Sequence, residues 1–439
     1  MSELMSERLR RELGLMGAVL LGLGAMVGTG VFVSVGLGAG LAGPGVIVAV
    51  ALAAAVATCN ALSSAQLAAS HPVSGGTYEY GYRYLTPWLG FVAGWMFLIA
   101  KSASAATAAL GFAGYTRTMF DLSVGLLIPL ALLAVVVLTA IVLSGLRRSN
   151  LTNAVIVSIT LLALAVFVLV GSATAPELQD LEPFFVAGGA HRSTLGALFH
   201  ASALMFVAYT GYGRIATLGE EVHEPEHTIP RAIIIVMAIT LVLYTAVAFV
   251  GVSTVGADAL AEAARTTAAP LAAAIDRFGP PWAAPVLVLG AVTAMLGVLL
   301  NLILGLSRVL LAMGRRGDMP RATGRLNADR TTPVTAVLIV GAAIAALVLV
   351  GDIQTTWTFS AFTVLIYYAL TNLAALRLPA EQRRYPRLLA VLGLAGCLFL
   401  AFWVEREVWL IGLGLIVLGL LWQLVGRRLW RPADLQGGT

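Results

Sequence analysis

Gly22-Leu23-Gly24-Ala25-Met26-Val27-Gly28-Thr29-Gly30-Val31-Phe32 opens this chain's first apolar stretch, and glycine interrupts it where a continuous helix should run. A second stretch behaves alike: Phe206-Val207-Ala208-Tyr209-Thr210-Gly211-Tyr212-Gly213-Arg214. In lipid, an unpaired N–H or C=O costs several kcal/mol, so a span broken at Gly28 or Gly211 is tolerated only where the freed groups line a cavity or hold a ligand. Gly28 and Gly211 lie 183 residues apart, about five spans, and two breaks in matching places are the strongest sequence pointer to a transporter binding site.

The rest of the composition agrees with a membrane setting. Of 439 residues 59% are hydrophobic and 11% charged, with a mean hydropathy of +0.92, which describes a polytopic all-α membrane protein and not a soluble domain. Windows of about twenty apolar residues place about twelve spans at 13–41, 43–67, 88–115, 124–145, 150–171, 196–219, 230–254, 283–313, 334–351, 355–377, 387–403 and 407–426. Residues 257–278 read as a short amphipathic helix outside the membrane. Residues 1–12 are short and charged, and read as a cytoplasmic N-terminus, not a cleavable signal. Residues 427–439 read as a cytoplasmic C-terminus.

Alternating the loops from there leaves twenty basic residues inside and five outside, with Lys101 and Arg214 within spans. That bias places both termini in the cytoplasm. It makes the positive net charge a topology signal, not a nucleic-acid footprint. Cys59 and Cys397 fall in apolar spans and read as small buried hydrophobes.

Spans one to five (13–171) and six to ten (196–377) each begin with a broken helix. An odd number of spans per unit turns the second copy upside down, which is the inverted repeat of many secondary transporters. Spans eleven and twelve (387–426) follow. At each break the first half-helix ends in unpaired carbonyls, and the second begins with unpaired N–H groups and the positive end of its dipole. Such a pair of ends can hold a zwitterion without any charged side chain. The carboxylate is expected at the N–H groups around Thr29 and Gly30, and the ammonium at the carbonyls of Val207, Ala208 and Thr210. Close helix packing at Gly24 and Gly28 is the competing explanation. The Gly22–Gly28 spacing is no dinucleotide loop, since it follows no strand.

These stretches resemble the amino acid–polyamine–organocation superfamily of transporters. The first break is similar to its Gly-x-Ile-Ile-Gly-x-Gly-Ile-Phe pattern, and Phe206 to Thr217 to its sixth span. Glu220-Glu221-Val222-His223-Glu224-Pro225 through Ile229-Pro230-Arg231-Ala232 resembles the loop that follows. Gly305 to Pro320 and His71 to Tyr84 resemble its eighth-span ending and second loop. The resemblance implies a LeuT-type fold in the inner or plasma membrane, and amino acid transport by alternating access without covalent chemistry. It implies that Met26, Thr29 and Gly30 hold the substrate carboxylate, and that carbonyls of Val207, Ala208 and Thr210 take the amine. Position 207, often aromatic in the family, is valine here, so Phe206, Tyr209 and Tyr212 stand as gate candidates. Arg214, Glu220 and Glu221 form a candidate ion-pair gate at the inner end, or a solvated cluster that anchors the helix end.

Lys101 is the one lysine in the chain and sits mid-span. Burying its charge costs at least about 2.5–3.5 kcal/mol, which makes it a functional candidate by default. Some family members resemble proton-coupled carriers with a lysine in the fifth span, where this chain has Ser158 to Thr160. Lys101 is therefore expected to exchange the coupling proton from the third span; the alternative is a snorkelling or fixed ion-paired lysine. Thr293 and Gly297 could face the first span, where a sodium ion would need oxygen ligands, but small-residue packing explains them as well. His200 reads as a satisfied interfacial histidine.

No metal cluster, cofactor motif, ATP site or hydrolytic constellation stands out, so the expectation is a non-enzyme driven by a gradient or by exchange. The leading expectation is proton-coupled transport of a neutral or small amino acid, with sodium less favoured. An uncoupled amino acid/polyamine exchanger and a non-transporting membrane sensor are the rivals.

Overall fold

A computed structural model describes residues 13–71, 75–145, 150–174, 181–188, 193–216, 222–327 and 332–430. The chain is an all-helical, multi-pass membrane protein. Among the described residues, nine helical stretches are long and apolar enough to cross a membrane, and two more apolar helices are shorter.

The first stretch is divided by its own glycines. Helix α1 (Leu15–Met26) stops where Val27 turns extended. A π-helical turn, Gly30–Ser34, then leads into α2 (Val35–Ala42). Gly43, at φ +58°, and Pro44 make the corner into α3 (Val46–Ser70). Then come α4 (Thr77–Tyr84), α5 (Pro87–Met119), α6 (Leu127–Leu143) and α7 (Asn150–Ala173). The second interruption parts α8 (Thr194–Ala208) from α9 (Gly213–Ala216) by the 3-10 turn Thr210–Tyr212.

Helix α10 (Pro225–Val255) precedes two short helices, α11 (Ala257–Thr266) and α12 (Pro270–Phe278), where one amphipathic helix was expected. Thr267, Ala268 and Ala269 separate them and Pro270 starts the second, since proline fits a first helical turn, where its missing N–H is no loss. The chain continues through α13 (Ala283–Arg316), α14 (Val334–Val350), α15 (Ile353–Leu376), α16 (Arg387–Ala401) and α17 (Arg406–Trp430).

The interior is built from small residues. Helix α5 lies against α13 and α15, and it buries Ala100, Ala103, Ala105, Ala106, Ala108 and Ala109. Small side chains let helix backbones approach, which is how helices associate where lipid supplies no hydrophobic drive. Leu162, Val242, Leu349 and Leu424 point outward and are exposed, an apolar exterior suited to hydrocarbon.

One end of the bundle is fastened by a buried carboxylate. Helix α13 closes with Gly317 in the left-handed conformation, and Asp318 N–H reaches back to Met313 O at 2.9 Å. That turn tucks Asp318 inward, where it is 2% exposed. Its Oδ2 accepts the hydroxyls of Tyr78 at 2.8 Å and Tyr82 at 2.5 Å, both from α4. Burial, and then the Asp318 carboxylate, push the Tyr78 phenol upward, so it stays a donor. Arg316 pairs with Glu79 at 2.5 Å, and Thr77 shares a 2.7 Å hydroxyl contact with Thr371 of α15.

Asp318→Ala leaves two hydroxyls without their acceptor, at about 1–3 kcal/mol each when buried. Its apparent melting temperature in detergent should fall by several degrees. Asp318→Asn keeps an oxygen able to accept both phenols and should melt between the two; equal melting of all three proteins would remove Asp318 as the fastener.

Candidate substrate site

The two breaks meet each other across the bundle. A Cβ on Gly30 would lie 2.6 Å from Ala208 Cα, and one on Gly211 would lie 2.5 Å from the carbonyl carbon of Ala25. Each break therefore presses a glycine onto the half-helix end of the other. Gly28 faces α13 in the same way, with its would-be Cβ 2.6 Å from Val298 Cγ2. At Gly30 and Gly211 the obstacle is backbone, which leaves no room for a side chain and is the physical reason for glycine there.

At the crossing lies a cavity of about 40 Å³. Met26, Thr29 and Gly30 line it from the first break, and Val207, Ala208, Thr210 and Gly211 from the second. Lys101 and Ser104 come from α5, Val298 and Leu302 from α13, and Trp357 from α15. Residues drawn from positions 25 to 357 thus share one small space. Among the described lining residues Lys101 is the one ionisable side chain.

Hydrogen bonding at the crossing is specific. Lys101, 8% exposed, donates from Nζ to Thr210 Oγ1 at 2.7 Å. The Thr210 hydroxyl donates to Val207 O at 2.7 Å. Thr29 is 3% exposed, and its Oγ1 has no hydrogen-bond partner among the described residues. An unpartnered buried hydroxyl is a donor and acceptor left for a guest.

Three aromatic residues that sequence reasoning passed over hold carbonyls at the breaks or, for Trp357, one turn before the second. Tyr244 of α10 donates to Met26 O at 2.7 Å and lies 3.3 Å from Ala208 O, so one hydroxyl bridges both breaks. Tyr368 of α15 donates to Thr210 O at 3.0 Å. Trp357 donates from Nε1 to Leu204 O at 3.0 Å. For Tyr244 the available signal was a polar-tipped aromatic alone in an apolar span, since a buried Tyr or Trp must find an acceptor. Tyr244 stands so within Ala232 to Val252.

Tyr244→Phe deprives Met26 O of its donor, at about 1–3 kcal/mol for a buried acceptor. Its transport rate should fall at least several-fold, with the protein still folded by size-exclusion chromatography. A wild-type rate would show that the bridge does not hold the breaks.

The remaining expected residues fall as follows. Phe206, Tyr209 and Tyr212 are fully buried, and Tyr209 packs on Tyr244 and Tyr212 on Tyr368 at ring distances of 5.1 and 5.3 Å. They stand behind the cavity wall; the aromatic that lines the cavity is Trp357. Arg214 lies on α9, one turn past the second break. Glu220 and Glu221 lie outside the described residues. Thr293 bonds back to Leu289 O of its own helix at 2.8 Å, and Val298 takes the place facing Gly28. His200, buried, has Nε2 3.3 Å from Glu405 Oε2. Cys397 accepts from Asn60 Nδ2 at 3.1 Å.

Comparison with known proteins gives a consistent picture. The family model described as "Amino acid permease" matches residues 17–435. An uncharacterized transporter of Mycobacterium tuberculosis is 41% identical over 396 residues, covering 90% of this chain and 87% of the relative. A branched-chain amino acid permease of Bacillus subtilis is 28% identical over 95% of this chain and 92% of its own. A vacuolar cationic amino acid transporter of Arabidopsis thaliana is 26% identical over 79% of this chain and 59% of its own.

Proposed function

The chain belongs to the amino acid permease family, and from that premise we propose that it carries a small or neutral amino acid across the inner or plasma membrane by alternating access, driven by protons. The protein has twelve spans in this reading: an inverted pair of five-span units at 13–171 and 196–377, followed by 387–426, with both termini cytoplasmic. The observation that carries it is the crossing of two broken helices, Gly30 on Ala208 and Gly211 on Ala25, around a cavity whose one ionisable lining group among the described residues is Lys101. Backbone ends of opposite polarity converge there, as a zwitterion requires.

The carboxylate lies at Thr29 and Gly30, and the amine at the second break near Thr210. A neutral side chain is favoured because the described lining contains no carboxylate, and a cationic one would be repelled by Lys101 at short range. A cavity of about 40 Å³ has room for only about three waters, so a small substrate fits with the least opening. Protons are favoured over sodium because Gly28 meets the Val298 side chain where a sodium ion would need several oxygens. Arg214, with Glu220 and Glu221, serves as the inner gate.

The test is uptake of labelled amino acids into proteoliposomes with and without an inward proton gradient. Accumulation above equilibrium, confined to neutral amino acids, is the expected result. Flux that requires internal substrate and ignores the gradient would make the protein an exchanger.

A further inference from the structure

The hydrogen bonds at the second break are distributed in a way that the transport reading alone does not require. Thr210 O already takes the Tyr368 hydroxyl at 3.0 Å and the Gly213 N–H. A carbonyl has two lone pairs, so Thr210 O is fully engaged. Val207 O takes the Thr210 hydroxyl at 2.7 Å, and Ala208 O shares the Tyr244 hydroxyl with Met26 O. With its proton directed to Val207 O, Thr210 Oγ1 becomes an acceptor facing the cavity, and the cation it holds is Lys101 Nζ at 2.7 Å.

An ε-ammonium and an α-ammonium are the same hydrogen-bonding object: one positive charge and three N–H donors on a tetrahedral nitrogen. Two of them on one hydroxyl oxygen would repel strongly in a site of low dielectric. We propose that Lys101 is a tethered competitor for the substrate's ammonium: the two take turns on Thr210 Oγ1, and an amino acid binds by displacing Lys101. This rests on the reading of the protein as an amino acid carrier. It adds a specificity rule. A carboxylate that lacks the α-amine binds together with Lys101, its negative end between Thr29 Oγ1 and Nζ. An amino acid binds in place of the Lys101–Thr210 bond, and its carboxylate then offers the displaced ammonium the one anion within the cavity, since no described lining residue is acidic.

The two ligand types should therefore respond to Lys101→Met in opposite directions. Binding to wild type and Lys101→Met in nanodiscs is measured for the proteinogenic L-amino acids and their des-amino acids, L-alanine against propionate being the first pair. The variant should bind the preferred amino acid at least tenfold more tightly and its des-amino acid at least tenfold more weakly. Loss or retention of both affinities together would overturn the competition and leave the carrier reading standing. A wild type that binds no amino acid would overturn both. Should the variant fail to fold, the wild type still answers. Lys101 is the only lysine, so ε-15N-lysine labelling yields one side-chain resonance. The preferred amino acid should move that resonance; one that stays fixed at saturation would overturn the proposal.

Discussion

Lys101→Met is expected to abolish gradient-driven accumulation while leaving substrate exchange intact. In proteoliposomes under an inward proton gradient, uptake by the variant should fall at least tenfold, to the level of equilibration. The argument begins with cost. A lysine charge at the centre of a span is disfavoured by at least about 2.5–3.5 kcal/mol, and Lys101 is 8% exposed near the middle of α5. Its partner is a neutral hydroxyl, Thr210 Oγ1 at 2.7 Å, and no described cavity-lining residue carries an acid to balance it. A group held so can exist charged or neutral, and the choice depends on what else occupies the cavity. Methionine keeps the length and apolar stem but cannot take up a proton. If the variant accumulates substrate as wild type does under the same gradient, Lys101 is structural and the proton travels elsewhere.

Gly30→Ala and Gly211→Ala should each reduce transport at least tenfold and lower the apparent melting temperature. The added methyl at position 30 would lie 2.6 Å from Ala208 Cα, and that at 211 would lie 2.5 Å from the Ala25 carbonyl carbon. In both cases the obstacle is backbone, which cannot rotate aside as a side-chain tip can. The half-helices must separate, and overpacking of this kind costs about 1–3 kcal/mol, occasionally more. Separation would also pull the Tyr244 hydroxyl from Met26 O, so the damage reaches the site as well as the packing. Gly305→Ala in α13 is the control, since nothing lies within 4 Å of its added Cβ. Ala208→Gly should not rescue Gly30→Ala, because Ala208 Cα itself remains too close. Wild-type transport in Gly30→Ala would mean the two breaks do not need this approach.

Much of this architecture was legible in the chain because lipid imposes a simple rule. Every backbone polar group must be paired inside the span, so helices are long, apolar and countable, and a glycine-rich interruption stands out against them. The break positions read at Gly28 and Gly211 lie shortly after the ends of α1 at Met26 and of α8 at Ala208. The six residues expected to face substrate, Met26, Thr29, Gly30, Val207, Ala208 and Thr210, line one cavity together with Lys101. They could be picked out because their signal is local: a glycine, a hydroxyl and a helix end within a few residues.

Other features were illegible because their meaning depends on a distant partner. Tyr244 lies in an apolar run and Tyr368 beside a second tyrosine, and nothing near either names Met26 O or Thr210 O as its acceptor. Trp357 reaches the cavity wall, while Phe206, Tyr209 and Tyr212, beside the break in sequence, pack behind it. Nothing in the sequence around Asp318 names Tyr78 and Tyr82 of α4 as its partners, yet the left-handed turn at Gly317 buries it beneath them.

Hydropathy, the glycine breaks and the lone lysine thus determined by themselves the helical membrane class and the segments that meet at the centre. These properties follow from the solvent and from short stretches of chain. Only the packed bundle decided which hydroxyl holds which carbonyl, which aromatic faces the cavity, and that Lys101 rests on Thr210. Those pairings are made between helices, and a hydrogen bond of 2.7 Å is set by how two backbones cross and not by either sequence alone.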